Sequence, residues 1–172
     1  MFFYFFISYF SFILLINYLY SMYFLNTVYI IRGISGSGKS HLVKHLINNT
    51  SSYINNIELN IYDIMNFDNT ITTKKLVQTY NKCFYYYIKC LHRNINHIYI
   101  TNPFIHKWEY LNYIELAKKY NYKVKIIELK CNSNDDLQIC YNRSSNVKNY
   151  NLLKTQYEEF EHDENSEIIN IE

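Results

Sequence analysis

The apolar positions along the chain change period in a regular order. The run "TVYII" (27–31) is apolar and β-branched, as in a strand buried on both faces. "KSHLVKHLINN" (39–49) then puts Leu42, Val43, Leu46 and Ile47 on one side of a helix. "IELNI" (57–61) predicts a second strand, ending near Asp63. From Thr73 to Arg93 the residues Leu76, Tyr80, Cys83, Tyr87, Cys90 and Leu91 recur at helical spacing, which predicts a long amphipathic helix. "HIYIT" (97–101) reads as a third strand, closed by Asn102 and the single proline, Pro103. A helix over "HKWEYLNYIELAKKY" (106–120) and a fourth strand over "KVKIIEL" (123–129) follow.

"SNDDLQICYNR" opens with Ser133 or Asn134 as a cap and with Asp135 and Asp136 in the first turn, which suits a helix N-terminus. "NLLKTQYEEFEH" (151–162) predicts a last helix and "EIINI" (167–171) a fifth strand. Strands alternating with helices predict an α/β fold, a three-layer α/β/α sandwich around a mostly parallel sheet of about five strands. No repeat or linker divides residues 26–172, so they are expected to form one domain.

Residues 1–25 break this pattern. "MFFYFFISYFSFILLINYLYSMYFL" carries no charged side chain and is long enough to cross a bilayer. The first basic side chain is Arg32, so a secretory signal with a basic leading region does not fit. Two readings remain: a membrane anchor, or an upstream extension of a protein that starts at Met22. The short distance from Met22 to the first strand favours the second. The protein is then expected in the cytoplasm or nucleus, and at a membrane only if this segment is a real anchor.

Composition adds bounds rather than chemistry. Hydrophobic residues make up 49% of the 172, charged residues 19%, and the net charge is +2, a globular balance that gives no support to strong non-specific nucleic-acid binding. The wealth of Asn, Ile, Tyr and Lys fits the codon bias of an AT-rich gene. Cys83, Cys90, Cys131 and Cys140 form no CxxC pair and match no zinc spacing, so they read as free thiols. The chain has only three glycines, and all lie between positions 33 and 38.

That concentration is the main chemical signal. Gly33-Ile34-Ser35-Gly36-Ser37-Gly38-Lys39-Ser40 fits the phosphate-loop pattern G-x-x-x-x-G-K-[ST], the Walker A motif, between a buried strand and an amphipathic helix. Such a loop wraps backbone N–H groups around a phosphate, and a Cβ would obstruct that approach. The helix N-terminus adds oriented amides. Lys39 supplies positive charge for the β- and γ-phosphates, and the Ser40 hydroxyl is placed to ligate Mg2+. Residues 33–40 therefore predict binding of a nucleoside triphosphate.

Phosphoryl transfer needs two further groups: one to take the acceptor's proton, and positive charge on the moving phosphate. Asp63, at the C-terminal edge of the sheet, is a candidate for the first, with helix capping as the alternative. Arg143, in the polar stretch "YNRSSNVKNY" between two predicted helices, is a candidate for the second as a lid arginine, with a plain solvated loop residue as the alternative.

The segments "IIRGISGSGKS", "NIYDIM", "WEYLNYIELAKKYNYKV" and "LQICYNRSSNV" together resemble P-loop ATPases of the polynucleotide-kinase type. Among these the chain is most similar to the ATP-binding module of Nedd-four-binding protein two-like proteins, over residues 27–160. Arg32, Trp108, Glu109, Tyr113, Ala117 and Tyr122 carry the more specific part of the likeness. The resemblance implies ATP and Mg2+ as cofactors, Asp63 as the group that activates the acceptor hydroxyl, and Arg143 as the lid arginine. The family usually closes its third strand with Asp-x-Thr-Asn or Asp-Asn-Thr-Asn. Here Thr101-Asn102-Pro103-Phe104 stands instead, with threonine at the acidic position.

The leading expectation is an ATP-dependent kinase with Lys39, Asp63 and Arg143 as catalytic residues and a hydroxyl acceptor, such as a nucleic-acid 5′-OH. A weak or inactive ATP-binding adaptor module, which Thr101 favours, and a small-metabolite or nucleoside kinase are the alternatives. Lys74, Lys75, Lys82 and Lys89 on the long helix could form a basic channel for nucleic acid, or simply a solvated face.

Overall fold

A computed structural model describes residues 26–64, 73–144, 147 and 149–171; the apolar segment 1–25 lies outside the described residues. Five strands, β1 (Thr27–Arg32), β2 (Asn56–Leu59), β3 (His97–Ile100), β4 (Lys123–Lys130) and β5 (Glu167–Asn170), form one sheet in the order β2-β3-β1-β4-β5. Every pairing is parallel. The helices are α1 (Lys39–Asn48), α2 (Ile61–Ile64), α3 (Thr73–His92), α4 (Trp108–Lys119), α5 (Asn134–Arg143) and α6 (Tyr150–Glu158). This is a three-layer α/β/α P-loop NTPase fold, as the strand–helix alternation predicts. β1 is central, so its C-terminal end opens at the point where the strand order reverses and where ligands bind in such sheets.

The alternation along β1 shows why the middle of its sequence is apolar. Val28 and Ile30 point into a cluster with Cys83, Tyr87 and Leu91 of α3 and with Tyr110, Tyr113 and Ala117 of α4. Ile31 points the other way, against Val43 of α1 together with Ile127 and Leu129 of β4. Burying an aliphatic side chain on either face stabilises the fold by about 1.5–3 kcal/mol, which accounts for the apolar middle of this strand. A third cluster, Ile34, Ile105, Leu137, Cys140, Val147 and Leu153, packs α5 and α6 over the start of the glycine loop.

Three predicted boundaries shift, each for a local hydrogen-bonding reason. The second strand stops at Leu59 rather than 61, because the Asn60 Oδ1 accepts the Tyr62 amide at 2.9 Å and turns the chain into α2. Asp63 thus lies inside that helical turn. The last helix ends at Glu158, not 162, and the Glu161 amide instead donates to the Ile105 carbonyl at 3.0 Å. α5 runs through Arg143, so this arginine occupies a helical last turn and not the loop predicted for it. The Gln138 Nε2 donates to the Asn142 Oδ1 at 3.1 Å, and the Ser144 amide closes the helix on the Cys140 carbonyl at 2.9 Å. Of the two candidate caps, Ser133 is the one used, its Oγ accepting the Asp136 amide at 3.1 Å.

Candidate functional site

The glycine loop leaves β1 under tight constraint. Gly36 has φ +80°, and a Cβ there would overlap the Cys140 carbonyl oxygen, so α5 packs directly on a backbone that only glycine can supply. Gly38 has φ +97° and occupies the N-cap of α1 with no side-chain hydrogen bond to the helix amides. The amides of the first turn of α1 therefore face the cleft uncapped by any side chain, the condition under which a helix N-terminus receives an anion.

Lys39 is the electrostatic centre of the loop. Its ammonium donates to the Gly33 carbonyl at 2.7 Å and the Ile34 carbonyl at 2.8 Å, with the Ser37 Oγ at 3.5 Å. The residue is buried, and no carboxylate among the described residues lies within ion-pair distance of it. Burial lowers its pKa from 10.5 to about 8. The neighbouring Cys140 thiol is pushed up to about 12, first by burial and then by Cys131, so it stays neutral. A buried ammonium surrounded by neutral oxygens is an incomplete arrangement, and an anion entering the loop completes it.

Around the loop lies a cleft of about 810 Å3, lined by residues 35–40 together with Asn60, Tyr62, Thr101 and Arg143. Such a volume suits a nucleotide-sized ligand. The Asn60 Nδ2 donates to the Ser40 Oγ at 3.2 Å, tying the turn after β2 to the first turn of α1. The Ile61 amide donates to the Asn102 Oδ1 at 3.1 Å, which fixes the start of α2. Asn102 is therefore a positioning residue for that turn. Thr101 is fully buried in the floor of the cleft, and its Oγ1 donates to the Glu58 Oε1 at 2.7 Å.

The predicted site residues fall into three groups. The structure brings together Ser35, Gly36, Ser37, Gly38, Lys39, Ser40 and Arg143 along one cleft. Gly33 and Ile34 stand behind it, offering carbonyls to Lys39 while the Ile34 side chain joins the apolar cluster of α5 and α6. Asp63 is exposed on α2, where the neighbouring Tyr62, not Asp63, lines the cleft. Lys74, Lys82 and Lys89 are exposed on α3, and none of the four lysines of that helix lines the cleft; Lys89 sits 4.4 Å over the Tyr85 ring.

Sequence reasoning does not find Asn60, Tyr62, Glu58 or Gln156. The Ser35 amide is bonded to the Gln156 Oε1 at 3.1 Å, and the Ser35 Oγ lies 3.3 Å from the Tyr62 hydroxyl. Gln156 stands 121 residues away in the chain, and only the fold brings it to the loop.

The residues behind the specific part of the resemblance are mostly framework. Arg32 is fully buried, and its guanidinium bonds the Phe104 carbonyl at 2.9 and 3.1 Å and the Ile105 carbonyl at 3.1 Å. It also pairs with buried Glu128 at 3.6 Å and lies 4.4 Å over the Phe160 ring. This clamp fixes the segment after β3 against the end of β1, where the Gly33 amide donates to the Pro103 carbonyl at 3.0 Å. Tyr113, Ala117 and Tyr122 are core residues. The Glu109 Oε2 caps the start of α4 by accepting the His106 amide at 3.2 Å, and exposed Trp108 stacks on His106.

Fold and loop together define a P-loop protein with a kinase-like architecture. The profile of the AAA domain family matches residues 28–143, and the chain belongs to that family. Comparison with curated proteins gives no match. Among solved structures, the chain is similar to one in a Pnkp1/Rnl/Hen1 RNA repair complex at 13% identity and a TM-score of 0.62, covering 79% of this chain and 44% of that one. It thus spans less than half of that chain's length. A gluconokinase from Sinorhizobium meliloti 1021 is similar at 13% identity and a TM-score of 0.58, covering 86% and 83% of the two chains. Kti12 of Chaetomium thermophilum, in complex with ADP-AlF3, is similar at 10% identity and a TM-score of 0.53, covering 83% and 87%. At these identities the likeness concerns the fold. Among the described residues, no helix is long and apolar enough to cross a membrane.

Proposed function

We propose that the protein is an ATP-dependent kinase of the polynucleotide-kinase type, moving the γ-phosphate of ATP to a hydroxyl acceptor such as a nucleic-acid 5′-OH. The observation that carries this reading is Lys39: a buried ammonium held only by neutral oxygens, inside a glycine cradle beside an uncapped helix start. The residues present also fit Mg2+, because the Ser40 hydroxyl lies in the cleft among oxygen and amide groups, the hard donors this ion selects. Bound there, the ion would neutralise phosphate charge. In this reading residues 33–40 hold the phosphates, Lys39 offsets the β- and γ-charge, Arg143 offsets charge that develops on the moving phosphoryl group, and Asp63 takes the acceptor proton. The RNA-repair neighbour and the resemblance to Nedd-four-binding protein two-like proteins both support a polynucleotide acceptor.

A second reading is a module that binds ATP without transferring phosphate. It is favoured by a described cleft lining without any carboxylate and by the position of Asp63 outside that lining. Incubation with labelled ATP and an oligonucleotide bearing a free 5′-OH separates the two. Label transfer that disappears in Asp63→Asn, with ATP affinity retained, supports the kinase. Transfer to gluconate or a nucleoside but not to the oligonucleotide would move the acceptor to the small-metabolite class. ATP binding with no transfer to any hydroxyl supports the module. Lys39→Ala should abolish ATP binding, and unchanged affinity would overturn the phosphate-loop reading itself.

A further inference from the structure

Among the described residues the cleft gathers positive charge and neutral oxygens. Its described lining includes Lys39, Arg143, Ser40, Asn60 and Thr101, with neither Asp nor Glu. A divalent cation bound beside phosphates ordinarily has a protein carboxylate holding it or its waters. One carboxylate reaches this lining through a hydrogen bond. Glu58 of β2 accepts the Thr101 hydroxyl at 2.7 Å. We propose that Glu58 supplies the negative charge of the metal site beneath the phosphate loop, acting through the Thr101 hydroxyl; this rests on the nucleotide-binding reading above.

The sheet makes the arrangement specific. Glu58 pairs with Tyr99 in the β2–β3 register, and the Thr101 amide extends the ladder by donating to the Leu59 carbonyl at 3.0 Å. Glu58 and Thr101 are therefore diagonal neighbours on the sheet face that carries α1, and Asn60, two residues after Glu58, reaches Ser40 from that same face. Because Thr101 donates its hydroxyl proton to Glu58, the lone pairs of its oxygen are free for a cation or a cation-bound water. The bond is charge-assisted and joins a fully buried hydroxyl to a partly buried carboxylate, so solvent screens it little. No cation among the described residues pairs with Glu58. A structural salt bridge thus does not account for its charge. Thr101 thus closes β3 beside a strand that carries an acid on the same face, two register positions earlier. Glu58 is in this sense a positioning residue, not a group that touches the nucleotide.

The test compares ATP affinity in Mg2+ with affinity in EDTA. Glu58→Gln keeps the shape and still accepts the Thr101 proton, so it removes the charge alone. It should cut the Mg2+-dependent gain in affinity by about 10- to 100-fold, while affinity in EDTA stays equal or rises slightly. Thr101→Val leaves Glu58 in place but breaks the connection, and it should lose the same gain. Moving the carboxylate into the cleft with Glu58→Gln/Thr101→Asp should restore the gain. The EDTA measurement reports in each case whether the loop is still folded. A Glu58→Gln protein whose Mg2+ gain equals that of the unchanged protein overturns the proposal alone. Failure of the unchanged protein to bind ATP in either condition would overturn the phosphate-loop reading and this proposal with it.

Discussion

The lowered pKa of Lys39 makes nucleotide affinity a function of pH, with a sign and a size. In the free protein burial sets that pKa at about 8, against 10.5 for an ordinary lysine. Phosphates in the loop favour the ammonium form and raise the value again, so binding is coupled to protonation. Raising the pH from about 7 to about 9 takes free Lys39 from mostly charged to mostly neutral and should weaken ATP binding about tenfold, or about 1.4 kcal/mol. The Cys140 thiol stays neutral over this range, with its pKa near 12, and burial raises the Tyr62 pKa above its ordinary value of 10. A phosphate monoester loses its second proton near pH 6, so the ligand contributes little above about pH 7. Calorimetry in buffers of different ionisation heat gives a second reading of the same event: uptake of about three-quarters of a proton per ATP bound at about pH 8.5. Stability of the nucleotide-free protein follows the opposite course. The unfolded chain holds the Lys39 proton more tightly, so folding becomes more favourable as pH rises from about 8 towards 10.5, by roughly 3 kcal/mol from this residue. Affinity that is flat between about pH 7 and about pH 9, with no proton uptake, would refute the account of Lys39 as a buried cation awaiting an anion.

Two further outcomes concern the framework that holds the loop. Arg32→Met removes one partner of a buried ion pair and should destabilise the protein by about 3–5 kcal/mol in urea unfolding. Part of this loss comes from the Phe104 carbonyl, which would lose both of its Arg32 bonds. A loss under about 1 kcal/mol would show that Glu128 is satisfied by His162 and the Asp163 amide without Arg32. Gly36→Ala adds a clash with the Cys140 carbonyl to left-handed strain, a combined cost of roughly 2–6 kcal/mol. It should therefore lower both ATP affinity and the thermal midpoint, and a variant matching the unchanged protein in both would show that α5 can move off the loop freely.

How much of this was legible in the sequence depends on the distance over which each feature is determined. The phosphate loop was legible because its needs are local. A backbone at φ +80° and +97° admits glycine and little else, so the requirement is written at the positions themselves. Strand β1 was equally plain, since burial on both faces leaves only apolar residues at Val28, Ile30 and Ile31. The short turn after β2 was not legible, because Asn60 and Ile61 look like strand until the Tyr62 amide and Asn102 are seen to bond the turn. Arg143 was misplaced for a related reason: the polar composition around it suits a loop, and the helix persists there through bonds from the Gln138 side chain and the Ser144 amide. Gln156 and Glu58 reach the site across 121 and 43 residues of chain, and no local pattern records such a meeting.

The residues that made the resemblance specific bear on what that resemblance can tell. Arg32, Tyr113, Ala117 and Tyr122 are buried, and Glu109 caps a helix; none of them lines the cleft. They record how the segment after β3 is fastened to β1 and how α4 packs on the sheet, which is information about the fold. In the proposed kinase reading the acceptor would instead meet Tyr62 and the exposed Asp63, on the turn at the end of β2. Such turns can change without disturbing the clamp below them, because their bonds to the framework run through Asn102 and the backbone ladder. The glycine loop is thus constrained by the fold, whereas in the proposed reading the side chains of Tyr62 and Asp63 would be set more by the molecule they receive. Measurements of transfer to candidate hydroxyls, combined with substitutions at Tyr62 and Asp63, therefore carry more information about the function than any further comparison of the core.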